Sequence, residues 1–160
     1  MIRIIAFELS FIACLVYAMR CGGKPERAAV IVLACANVTS IFAIYFLPRS
    51  AGFGTLAEAL ALVDFLLLLS LIWIALRANR LWTIVLAGLQ LSLVLIHLSK
   101  ALYSALPAAS YGIFAQFWAW PMIVAVAIGT RNHRKRTMEF GDEYDWKPPW
   151  PHSLQAGSST

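Results

Sequence analysis

The residues best equipped for chemistry in this sequence are ionisable groups set in apolar runs: Glu8, Glu58, Asp64, His97 and Lys100, accompanied by the amides Asn37, Gln90 and Gln116. At membrane depth an ionisable side chain costs roughly 2.5–3.5 kcal/mol on insertion scales, so each needs a partner or a task. Glu8, Asp64, Gln90, His97 and Gln116 are expected to form one intramembrane polar cluster, gathered in the outer half of the protein. A carboxylate and an imidazole buried together alter each other's proton affinity, as in proton relays and coupled transporters. One reading makes Asp64, His97 and Glu8 a proton-titratable or cation-binding site reached from outside. The other makes them hydrogen-bonding contacts that fix helix packing, where each bond is worth only about 0.6 kcal/mol and specifies geometry more than it stabilises.

Other chemistry is sparse. The sequence has no HExxH, GxSxG, Walker A or Gly-rich dinucleotide motif. His97 is the one histidine within an apolar run, with His133 and His152 in the tail, so bis-histidine haem ligation lacks a second ligand. Cys14, Cys21 and Cys35 form no CxxC pair and read as packing residues. No catalytic residue, cofactor or metal is expected.

The elements that must position these groups follow from composition. In 160 residues, 61% are hydrophobic and 13% charged, against roughly 45–50% and about 25% in soluble domains. A water-soluble fold of one-domain size cannot hide that much apolar side chain. Five apolar runs, at 2–19, 28–47, 56–76, 81–102 and 111–130, each approach the ~20 residues that cross a hydrocarbon core. They lack the alternation of barrel strands, and in lipid a backbone must satisfy its own hydrogen bonds. The expected fold is all-α: a transmembrane bundle of five helices over residues 1–130 and a cytoplasmic tail over 131–160. It has four spans if the first helix lies in the interface. Glu8 interrupts the first run and speaks against a cleaved signal peptide.

Register can be counted from the short turn Arg77, Ala78, Asn79, Arg80. If Leu76 faces Leu81, Glu58 lies opposite Ser99, and a Glu58–Lys100 ion pair is expected at the outer boundary. Asp64 falls level with Leu93, between Gln90 and His97 and within about one 5 Å turn of each. Thr83, Gln90 and His97 recur every seven residues, one polar stripe that should face the interior. Pro121 cannot donate to the carbonyl of Phe117, which predicts a helix kink beside Trp118 and Trp120. Gly88 with Ser92, and Ala125 with Gly129, are spaced for close helix contact.

Nine cations gather on one side: Arg20, Lys24, Arg27, Arg77, Arg80, Arg131, Arg134, Lys135 and Arg136. The other side has Arg3, Arg49 and Lys100. The positive-inside rule then puts the N-terminus outside and the C-terminus in the cytoplasm. Trp73, Trp82, Tyr45, Tyr103 and Tyr111 sit where interfacial anchors are expected. Arg131, Arg134, Lys135 and Arg136 serve as a topology anchor or lipid-headgroup contact. No folded basic surface accompanies them, which argues against nucleic acid. Beyond an acidic patch, Trp146 and Trp150 flank a Pro-rich stretch and are candidates to dock a partner, the interface or the bundle itself.

The functional expectation is a small multi-pass protein of the plasma membrane, bacterial by its short loops and lack of an organelle signal. It would be an accessory, assembly or scaffold subunit, with a protein partner or a homo-oligomer beside the lipid bilayer. A proton- or cation-coupled pathway through Asp64, His97 and Glu8 is the alternative. An enzyme acting on lipid or quinone ranks third.

Overall fold

The computed structural model describes residues 2–46, 54–78, 80–102, 108–141 and 146, with side chains except at 54, 55, 101, 108–116 and 140. Five helices account for nearly all of them: α1 (Ile2–Cys21), α2 (Lys24–Phe46), α3 (Gly54–Arg77), α4 (Leu81–Leu102) and α5 (Ala108–Phe140). The fold is all-helical, and α1 to α4 are each long and apolar enough to cross a membrane. At ~1.5 Å per residue they measure about 30–36 Å.

The helices run up and down in a ring. Each packs on its neighbours in sequence, α1 closes the ring against α5, and α2 also touches α5 across it. The α1–α2, α3–α4 and α5 ends that carry the cations share one end of the molecule, called here the basic end.

Local chemistry explains two helix limits that differ from the sequence expectation. α2 starts at Lys24, not at residue 28, because Gly22 and Gly23 suffice for the turn. The Gly22 amide donates to the Ala18 carbonyl at 2.9 Å, and Pro25 suits the first turn of α2. A Cβ on Gly22 would meet the Ala18 carbonyl oxygen at 2.5 Å, so glycine is required there. α5 runs to Phe140 instead of ending at 130, since nothing between Arg131 and Phe140 breaks a helix. Gly141 ends it in the left-handed region (φ 77°), its amide donating to the Thr137 carbonyl at 3.1 Å. Arg131, Arg134, Lys135 and Arg136 thus lie on a helix and not in a loose tail. α5 continues through Pro121 without a break.

Among the described residues, the main buried cluster lies toward the basic end. Cys14 and Ala18, Ala29 and Val30, Leu71 and Ile74, Leu86 and Ala87, and Met122 and Val126 form one buried cluster. On α1 to α4 all of the cluster lies within about 15 Å of the basic end. Outward positions are as apolar as inward ones. Ile12, Ile31, Leu66, Val85 and Val124 are exposed in mid-helix, a surface stable against hydrocarbon and not against water.

Candidate functional site

α3 and α4 build the most chemically capable site. Residues spaced by seven on α4 return to one face. Thr83 and Gln90 accordingly are buried and His97 points inward with its side chain 8% exposed. Across from them, His97 Nε2 lies 2.8 Å from Asp64 Oδ2. Against an ionised Asp64 the proton sits on Nε2. Gln90 Nε2 donates to Asp64 Oδ1 and to the Asp64 carbonyl, both at 3.0 Å. Each carboxylate oxygen thus has a partner from α4, and the Asp64 side chain is 20% exposed. Gln90 Oε1 is buried with no hydrogen-bond partner among the described residues. Chemically, the pair can hold a proton between an acid and an imidazole, and it can lock two helices in register.

The expected five-residue cluster is divided. Glu8 does not join Asp64 and His97, because α1 makes no contact with α3 or α4. Glu8 Oε2 instead accepts from Asn37 Nδ2 on α2 at 3.1 Å. Gln116 belongs to α5, and its side chain lies outside the described residues. Glu58 and Lys100 form no ion pair with one another among the described residues; Glu58 is exposed on α3. The cause is helical phase. Glu58 and Asp64 are about 120° apart around α3, and Asp64 is the one that faces α4.

A second constellation escaped the sequence reading. Glu26 is fully buried in the first turn of α2, where the helix dipole favours a carboxylate. Trp82 Nε1 on α4 donates to its Oε1 at 3.2 Å, while Oε2 is buried without a hydrogen-bond partner among the described residues. The Trp82 indole lies against Gly129 of α5, where an added Cβ would come within 2.6 Å of the ring. Trp82, in the first turn of α4, thus braces α2 and α5 at the basic end. The available signal was Gly129, a gap on α5 wide enough for an indole from α4.

The remaining aromatics tie helices together. Trp118 Nε1 donates to the Leu89 carbonyl at 2.8 Å, and Trp120 meets Phe7 edge-on at 5.7 Å. Trp73 is half exposed, with the Arg77 guanidinium 4.5 Å over its ring. Trp146 docks on this same corner. It pairs with Ala78 in an antiparallel bridge and sits 6.2 Å from Trp73, edge to face. Its ring is thus engaged by the chain's own bundle, whereas Trp150 lies outside the described residues. Tyr103 and Tyr111 likewise have no described side chain.

No group of three or more His, Cys, Asp or Glu side chains is placed to hold a metal ion among the described residues. Comparison with family models, with curated proteins and with solved structures finds no match.

Proposed function

We propose that this chain is a five-span protein of the plasma membrane, of the bacterial inner-membrane type, with its N-terminus outside. It works as an accessory, assembly or scaffold subunit of a membrane complex. The observation that carries the reading is the engagement of Asp64. Both of its carboxylate oxygens are taken up by Gln90 and His97 of the same bundle. Glu8 is taken up by Asn37 in the same way. Interior polar groups that serve one another serve the packing, which leaves the apolar outer faces as the working surface. The fifth span and the orientation rest on the length of α5 and on the gathering of cations at the basic end.

Native mass spectrometry of the protein, extracted gently from its own membrane, tests this. Release with a stoichiometric partner supports the reading, and a lone monomer overturns it.

The 2.8 Å contact between Asp64 and His97 favours one second reading, a proton- or cation-coupled pathway. Glu8 contributes nothing to it, being held on α2. Proton-linked flux in vesicles, lost in Asp64→Asn and in His97→Gln, would establish that reading. Equal flux in all three proteins would remove it.

A further inference from the structure

Two cavities open along the seam of α2 and α3 and share Val32 and Ser70, so they form a single groove. The part nearer the basic end holds about 390 Å³ beside Ala28, Trp73 and Ile74. Its continuation holds about 210 Å³ beside Cys35, Ala36 and Thr39. Cys35, Leu66 and Trp73 are exposed, so the groove faces outward. Small side chains create it. Their hydroxyls add no polarity, because Thr39 donates to the Cys35 carbonyl at 2.8 Å and Ser70 to the Leu66 carbonyl at 2.9 Å.

Each wall ends in a cation. On α2 the lining positions 28, 32, 35, 36 and 39 follow helical spacing, and one turn back along that face stands Lys24. On α3 the series 63, 66, 70 and 73 continues to Arg77, whose guanidinium already lies over Trp73. From Ala28 to Thr39 the groove runs about 16 Å at ~1.5 Å per residue, close to the ~15 Å of one leaflet's hydrocarbon.

We propose that this groove binds one acyl chain of an anionic phospholipid from the leaflet at the basic end, with the headgroup held by Lys24 and Arg77. The proposal needs α2 and α3 to cross the membrane and is independent of the accessory role.

The test titrates the full chain in detergent with phosphatidylglycerol or phosphatidylcholine and counts bound lipid by native mass spectrometry. One phosphatidylglycerol should be retained in preference to phosphatidylcholine. Lys24→Gln and Arg77→Gln should each weaken it about fivefold, the expectation for one cation at a membrane surface. Ala36→Leu with Ser70→Leu, which fill the groove and keep both charges, should abolish retention. Arg131→Gln with Arg134→Gln on α5 should leave it unchanged. Equal retention of the two lipids, indifference to the groove substitutions, or equal weakening by the α5 pair would each overturn the proposal. A polypeptide that shields Cys35 from maleimide in native membranes, with no lipid retained, would overturn it as well.

Discussion

Glu8 on α1 and Asn37 on α2 stand at the same distance from the Gly22–Gly23 turn, thirteen residues from the helix ends that flank it, and the Asn37 amide donates to the Glu8 carboxylate at 3.1 Å. The α1–α2 hairpin is therefore in register, and this part-buried contact between polar side chains lies far from the turn that sets it. A double-mutant cycle on Glu8→Ala and Asn37→Ala should give a coupling of about 0.6 kcal/mol and no more than about 1.7, the range for interhelical bonds in membranes. Unfolding in mixed micelles measures it. Additive effects would mean that the two side chains do not meet.

Asp64 engages Gln90 and His97 through different atoms, so two substitutions separate its roles. Asp64→Asn keeps an acceptor for Gln90 and should leave the folded yield near that of the parent. Asp64→Leu strands the Gln90 amide and the imidazole and should cost about 1–3 kcal/mol, the desolvation of unpaired buried groups. Thermal unfolding in detergent separates these outcomes, and equal loss in both variants would contradict the arrangement.

Two helical glycines should respond oppositely to alanine. Gly129→Ala drives a methyl into the Trp82 indole at 2.6 Å and should destabilise by about 1–3 kcal/mol, as overpacking does. Gly88 has nothing within 4 Å of an added Cβ, and Gly88→Ala should stabilise by about 0.5–1 kcal/mol through helix propensity. Trp82→Phe leaves Glu26 Oε1 without its donor and should cost about 1–3 kcal/mol. Midpoints of unfolding for the three variants check the set.

Trp146 holds the segment after α5 against the end of α3. An aromatic pair contributes about 0.5–1.5 kcal/mol beyond its burial. Trp146→Ala should then raise the rate of proteolysis after Gly141 several-fold while the melting of the bundle changes little. An unchanged cleavage rate would show that the contact does not hold the segment.

Several of these relationships were legible in the sequence. Counting from the α3–α4 turn placed Asp64 between Gln90 and His97, and it bonds both. The same count, applied to Gly22 and Gly23, would have paired Glu8 with Asn37. Glu58 shows where counting fails. Distance from a turn fixes the level of a residue and leaves its rotation about the axis open, and rotation turned Glu58 outward. Glu26 was hidden for a different reason. Among Arg20, Lys24 and Arg27 it looks like part of a charged loop, and only an indole arriving from α4 makes a buried place for it. Trp146 depends on the chain folding back after α5, which no local pattern encodes.

The position of the buried cluster has a mechanical consequence. Among the described residues, interlocked side chains clamp the helices near the basic end, while farther along Glu8 with Asn37 and His97 with Asp64 are among the contacts that join them. Lateral pressure and thickness differ between leaflets and between membranes. A membrane pressing on the bundle would meet interlocked side chains near the basic end and paired polar side chains farther along.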